Sequence, residues 1–422
     1  MMAGKAERVG VVAVGDELLA GAHPDLNSPA IAVSLAELGR HVARVIVVGD
    51  DEAAIAASIA ELCEEHGVVI VTGGIGPTLD DVTRHAAARA AGVPLVTSES
   101  ALRELRDGYA LTGREMPRSN ARQALVPEGA EILPNARGTA PGFRARVGAC
   151  ELFVLPGPPS EMQAMLASCV RPWLAAHPVG DGSFRVQCFH LTGLSESLFA
   201  DQAGAWMERG ANPLLGVTVK GGVMTVRLIA HGVTVAQADA VLARRAAEFE
   251  ERFGRHVFSR EDARIAFVLG RELIERSVTI AVAESCTGGL VAAALTEVPG
   301  ISAVFREGFV TYSNEAKVER LGVPAATIER HGAVSAEVAE AMARGAAERS
   351  RARLAVATTG IAGPGGGTSA KPVGLVWFAV AHDGAVHSVE RRFKDVGRDR
   401  IRAWAATKAL ELLLRAVRGR SL

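Results

Sequence analysis

ERVGVVAVG at residues 7–15 and GVVIVTGG at 67–74 are unbroken runs of Val and Ile closed by glycine, each followed by apolar residues at helical spacing. Continuous β-branched runs without polar alternation belong to strands buried on both faces, and such strands occur in parallel sheets covered by helices. Outward from these two, HVARVIVVGD (41–50) and ELFVLPG (151–157) repeat the pattern, with amphipathic stretches over 26–38, 52–66 and 160–174. The expectation is a parallel α/β domain over residues 1–172.

The pattern then changes. RVQCFHLTG (185–193), a helix over 196–209, NPLLGVTVKGGVMTVRLIA (212–230) with a turn at Gly221-Gly222, and a long amphipathic helix over 235–253 describe a small α+β unit at 173–260. No chemistry is legible in it, although Lys220 and Arg227 offer a basic edge. From 261 to 422 the α/β alternation resumes: SVTIAVAE (277–284), EGFVTYSN (307–314), a helix over 335–350, RLAVATTG (353–360), a hairpin turn at Asp383-Gly384 and a last helix over 398–417.

Composition narrows the function. Lys and Arg number 46 against 47 Asp and Glu, and the formal charge of -1 supplies no field for a polyanion, so direct nucleic-acid binding is not expected. The five cysteines form no CxxC pair and read as reduced thiols, which implies the cytoplasm. No stretch reads as a signal peptide or a membrane span, so no membrane association is expected. Basic residues are nearly all Arg, which draws attention to the few lysines, Lys317 among them.

In the last segment the strand SVTIAVAE runs into Glu284-Ser285-Cys286-Thr287-Gly288-Gly289 and then a helical run. A strand turning through two glycines into a helix aims backbone N–H groups at the crevice above the sheet, where a phosphate can sit beside Ser285. The plain reading is that Ser285 or Thr287 merely caps that helix. In FVTYSNEAKVERL (309–321) a strand ends at Ser313, Asn314 caps a helix and Lys317 stands near the positive helix end. Any burial there lowers the ammonium pKa and lets a neutral amine activate a serine. A surface lysine paired with Glu315 or Glu319 is the alternative. Thr358 and Thr359 lead into GIAGPGGGT (360–368), whose Gly360, Gly363, Gly365 and Gly366 suit close approach of backbone to a ribose or phosphate.

In the first segment Gly15-Asp16-Glu17, Asp50, and Thr72-Gly73-Gly74-Ile75-Gly76-Pro77-Thr78 follow strands, and Asp80 and Asp81 open the next helix. Helix capping explains Asp80 and Asp81 alone. Acidic residues at several strand ends beside a glycine loop point instead to a divalent cation, Mg2+ or similar, held by Asp16, Glu17, Asp50, Asp80 and Asp81.

ESCTGG, FVTYSNEAK and TTGIAGPGGGTSAKPVG together resemble the signature segments of the CinA C-terminal domain, and GDELLAG, VVGD, TGGIGPTLDDVT, LPNARGTAPGF and VLPGPPSEM resemble the CinA N-terminal domain, of molybdopterin-binding-like fold. The resemblance implies a nicotinamide mononucleotide deamidase with Ser285 as nucleophile, Lys317 as its partner and Tyr312 as a relay or orienting group. Thr287, Gly288, Gly289, Thr359 and Arg398 would bind substrate, with Arg400 or Arg402 as substitutes for Arg398 because Gly397 stands where the family has Asp. In the first domain it implies a metal-dependent ADP-ribose pyrophosphatase, with Gly15, Thr72, Gly73, Gly74, Gly76 and Thr78 near substrate; AHPDLNSPAIA (22–32) departs there from the family pattern. It also implies a homodimer and, in the competence or DNA-damage context that names the family, a protein partner. A nucleotide-binding module or an interaction protein without catalysis is the competing expectation.

Overall fold

The computed structural model describes residues 8–36, 38, 40–111, 113–177, 183–208 and 210–421. The chain folds as two compact units, one holding residues up to Val186 together with 230–243, the other Gln187–Ile229 and the chain from Arg244 onward. Most of the middle segment therefore groups with the C-terminal sheet.

In the first unit the strands His41–Val48, Arg8–Val14, Val68–Thr72 and Cys150–Leu155 run parallel in that spatial order. Their side chains divide with the two-residue period of a strand. Val12, Val14, Val69, Val71 and Val154 pack with Ile55, Ile59 and Leu62 of the helix Glu52–Glu65. Val9, Val11, Val68, Ile70, Phe153 and Leu155 pack on the opposite face with Ile31, Leu35 and Met162. Double coverage explains the unbroken Val/Ile runs.

The sheet is not wholly parallel, as the sequence pattern suggested. Gly142–Val147 and Glu131–Leu133 add an antiparallel edge. Val147 pairs directly with Cys150, so a two-residue turn with Gly148 at φ 59° joins the strands, and so short a connection can only reverse the chain.

The hairpin Leu214–Lys220 and Val223–Gly232 turns at the expected glycine pair, in a four-stranded sheet. The helix expected over 196–209 is Glu196–Ala203 followed by a tighter turn to Met207, and residue 209 lies outside the described residues. The last sheet orders Phe305–Val310, Ile280–Glu284, Leu354–Gly360, Leu375–His382 and Ala385–Arg392, the first three parallel and the final pair a hairpin through Asp383-Gly384. Its two faces differ in side-chain size. Ile280, Val282, Leu354, Val356 and Phe378 meet the helices Ile265–Glu275 and Arg398–Val417, whereas Ala281, Ala283, Ala355, Ala357 and Ala379 meet Val338, Ala339 and Met342 of the helix Ala336–Ser350. Alanines let that helix lie close to the sheet, consistent with native packing density.

In both α/β sheets the first strand lies between the second and the third. The strand order therefore reverses beside it, and the crevice at the carboxyl ends of such strands is where open sheets place ligands.

Candidate functional site

Ser285 follows the strand Ile280–Glu284 at that reversal point, and its amide donates to the Thr358 carbonyl at 2.9 Å. The Thr311 amide donates to the Glu284 carbonyl at 2.9 Å, so the three parallel strands end side by side. The chain then enters the helix Asn314–Leu321, whose N-cap is Ser313 and not the expected Asn314; the Ser313 hydroxyl accepts from the Ala316 amide. Lys317 is thereby turned inward. Its Nζ lies 3.2 Å from Ser285 Oγ and donates to the carbonyls of Thr311, Tyr312 and Ser313 at 2.9, 3.3 and 3.4 Å. Lys317 is 1% exposed and Ser285 9%. Burial lowers the Lys317 pKa, and among the described residues no hydrogen-bonded carboxylate restores it; the negative charge of Glu315 opposes the shift. A surface ion pair with Glu315 or Glu319 does not describe so buried a side chain.

The helix Leu290–Thr296 changes the expected place of the phosphate. The Glu284 carboxylate, 1% exposed, accepts from the amides of Gly289, Val291 and Ala292 at 2.9, 3.1 and 2.8 Å, and the Gly288 amide donates to the Ser285 carbonyl. The N–H groups expected to hold a phosphate at Gly288 and Gly289 are thus already engaged by the chain itself. Nor do Ser285 and Thr287 cap this helix: Gly289, at φ 97°, is the N-cap, and Thr287 Oγ1 is 2.7 Å from Thr358 Oγ1 inside the core. The Cys286 thiol, beside Ser285, is pushed up to about 12 by burial and stays protonated.

Arg398 comes to the site from the first position of the last helix. Its guanidinium donates to Tyr312 Oη at 2.6 Å and to the Gly363 carbonyl at 2.8 Å, tying the tyrosine to the glycine-rich loop. Arg402 donates to the carbonyls of Cys286 and Thr287 at 3.2 and 3.0 Å, while Arg400 is exposed. Tyr312 is 60% exposed, so its ring stands at the mouth of the site. Thr359 is buried with its hydroxyl donated to the Ala333 carbonyl at 2.7 Å. Gly360 is explained by packing, since a Cβ there would stand 2.8 Å from the Leu375 carbonyl oxygen. Gly363 and Gly366 hold left-handed φ of 79° and 82°, and Gly365 faces open space. Lys371 anchors the loop's far side through the carbonyls of His331 and Val334 at 2.6 and 2.8 Å.

In the first unit Gly15, Glu17, Asp50, Gly73, Gly74, Gly76, Asp80 and Asp81 line one cavity of about 340 Å³, with Gln123, Thr139 and Glu161. Thr72 borders a neighbouring cavity of about 430 Å³ that shares Glu17 and includes Asn27. Asp16 and Asp50 clasp the chain: each carboxylate accepts from the other's amide, at 3.1 and 2.9 Å. Burial raises the Asp50 pKa, and the charges of Asp16, Glu17 and Asp80 add to the rise. Asp81 accepts from both the amide and the hydroxyl of Thr78, a capping role. Among the described residues no three His, Cys, Asp or Glu side chains stand close enough to enclose a metal by themselves. Gln123 is 1% exposed and its Oε1 has no partner among the described residues, so the cavity wall carries an unused acceptor.

Glu284, Gln123, Thr139 and Glu161 were not singled out in the sequence, whereas Arg402 was offered only as a substitute for Arg398. Glu161 carried a usable signal, a carboxylate within the first turn of a helix, whereas Glu284 lies five residues before its helix cap. Gln123 carried none, because burial decides its meaning. No helix among the described residues is long and apolar enough to cross a membrane, and all five cysteines are free thiols.

Comparison with known proteins gives three profile matches along the chain. The profile of the CinA C-terminal domain matches residues 262–417, that of a probable molybdopterin binding domain 10–176, and that of the damage-inducible protein CinA KH domain 187–259. A CinA-like protein of Geobacter metallireducens is 43% identical over 408 residues, covering 97% of this chain and 98% of its own. One from a Synechococcus strain is 42% identical over 406 residues, covering 96% and 97%. The solved structure of competence/damage inducible protein CihA from Agrobacterium tumefaciens is 49% identical and covers 38% of this chain and 99% of its own, at a TM-score of 0.35. Over nearly its whole length this chain belongs to the CinA family.

Proposed function

We propose that the second unit hydrolyses the carboxamide of nicotinamide mononucleotide to nicotinate mononucleotide and ammonia. The observation that carries this reading is the buried Lys317 amine 3.2 Å from Ser285 Oγ with only carbonyls as its other partners. A neutral amine takes the Ser285 proton as Oγ bonds to the carboxamide carbon, and the resulting ammonium gives that proton to the departing ammonia. The freed amine next takes a proton from water, which attacks the acyl-enzyme, and returns it to Oγ as nicotinate leaves. Because the amides of Gly288 and Gly289 are engaged, neither is assigned to the oxyanion. Arg398, already holding Tyr312 and the Gly363 carbonyl, is assigned to the substrate phosphate.

For the first unit the reading is ADP-ribose pyrophosphatase activity with a divalent cation. Hard oxygen donors at Glu17, Asp50 and Asp80 suit Mg2+, which is commonly held by one or two carboxylates and the substrate's own phosphates, so a three-carboxylate cage is not required. Bound there, the cation would neutralise charge on the pyrophosphate. Gln123 would accept from the nucleotide through its unpartnered oxygen. The deciding experiment incubates the full chain with each nucleotide, with and without Mg2+, and measures ammonia and AMP. Ammonia independent of metal and AMP dependent on it are expected. Binding of both nucleotides without either product would leave a binding module.

A further inference from the structure

A third cavity, of about 440 Å³, is lined by Arg255, Arg391, Arg415, Arg418 and Arg420 with Glu411 as its one carboxylate. All of these residues belong to the second unit. Arg398 and Arg415 share the last helix and stand about 25 Å apart along it at 1.5 Å per residue, so the cavity is remote from Tyr312 and the glycine loop. The chain as a whole is close to neutral, and five guanidiniums around one acid are therefore a local concentration and not the background of a basic protein.

The internal partners absorb only part of this charge. Glu411 is buried, and its Oε1 already accepts from Lys408 Nζ at 2.8 Å, with Arg415 at 3.5 Å. Arg418 is spent on Glu272 and the Phe258 carbonyl. Arg255 donates through Nε to His256 Nε2 at 3.0 Å, while His256 Nδ1 lies 3.2 Å from the Thr192 carbonyl, an arrangement that fits a neutral ring. Burial, helped by Arg255 and Arg415, lowers the His256 pKa; burial, helped by Arg391 and Arg415, lowers that of Lys408. Gly193 keeps the wall open, because a side chain there would begin 3.3 Å from Glu411 Oε1 in a residue whose φ is 72°.

Guanidinium forks match phosphate oxygens bidentately, and a cleft of one charge sign concentrates counter-ions. With Glu411 and the Glu272 partner of Arg418 both counted, a surplus of three guanidiniums over carboxylates remains, which corresponds to roughly two phosphate groups at about −1.5 each. Apolar wall is limited to Val257, Phe258 and Leu414, which leaves little for a base to stack on. We propose that this arginine cleft is a binding site for a diphosphate group, free or carried by a nucleotide, separate from the Ser285 site.

Calorimetric titration of the full chain with inorganic pyrophosphate and, separately, ADP tests this, in wild type, an Arg391→Ser/Arg420→Ser double variant and Gln123→Ala. Both altered arginines are exposed, so the melting temperature of the double variant should match wild type. Pyrophosphate should bind wild type and Gln123→Ala alike, weaken as salt is raised, and lose at least tenfold in affinity in the double variant. Tighter binding of ADP than of pyrophosphate with the same loss would identify a nucleotide as the source; equal binding would identify the inorganic anion. Pyrophosphate binding that survives the double substitution, or that fails in wild type, overturns the proposal. So does displacement of pyrophosphate by a single-stranded oligonucleotide whose binding depends on Arg391 and Arg420, since the cleft would then serve a nucleic acid.

Discussion

The Glu284 carboxylate accepts from the Gly289 amide at 2.9 Å and from two further amides of the same helix end, inside the core and 1% exposed. Removing it strands three donors. Glu284→Ala should lower stability by on the order of 3 kcal/mol or more and reduce deamidation through displacement of Ser285, whereas Glu284→Gln should retain part of both. Chemical denaturation of the two variants checks this; an unchanged midpoint for Glu284→Ala would show that the contact does not hold the turn.

Ser285→Ala should lose turnover on the order of 10³-fold or more yet still bind nicotinamide mononucleotide, because Arg398 and the glycine loop are untouched. Lys317→Arg should be nearly as damaging as Lys317→Ala, since guanidinium stays charged and cannot accept the serine proton. Ammonia release at near-normal rate by Ser285→Ala would remove the covalent mechanism.

The pH profile follows from the direction of the Lys317 shift. Burial favours the neutral amine, and it is the neutral amine that acts, so kcat/KM should rise with pH through an ionisation below the roughly 10.4 of a free lysine. The rising limb should vanish in Lys317→Ala. A limb at or above the free-lysine value would assign the base elsewhere.

Among the three arginines at the start of the last helix, Arg398→Ala should raise KM roughly tenfold or more, the cost of a charged hydrogen bond, while Arg400→Ala should remain near wild type. Steady-state kinetics with nicotinamide mononucleotide decides between them. Equal effects would mean that Arg398 only braces Tyr312.

In the first unit, Gln123→Ala should raise KM for ADP-ribose several-fold and leave deamidation untouched, because its unpartnered oxygen lies in a separate compact unit. Asp50→Asn should depress pyrophosphate cleavage more steeply at low Mg2+ than at high. An effect independent of metal concentration would assign Asp50 to the clasp with Asp16 alone.

Local pattern in the chain determined the strands, the helix over 398–417, the glycine-pair and Asp383-Gly384 turns, and the candidacy of Ser285 and Lys317, since double burial writes continuous Val/Ile runs and tight turns demand particular residues. Tertiary structure alone decided what partners those residues have. Whether a helix end is open to a phosphate depends on a carboxylate five residues earlier folding back, as Glu284 does onto Gly289. Whether a lysine is a surface charge or a buried amine depends on a one-residue shift of the helix cap from Asn314 to Ser313 and on the strands that cover it. The arginine cleft gathers positions from 255 to 420 and has no linear signature at all, because charge density is a property of the folded surface and not of spacing along the chain.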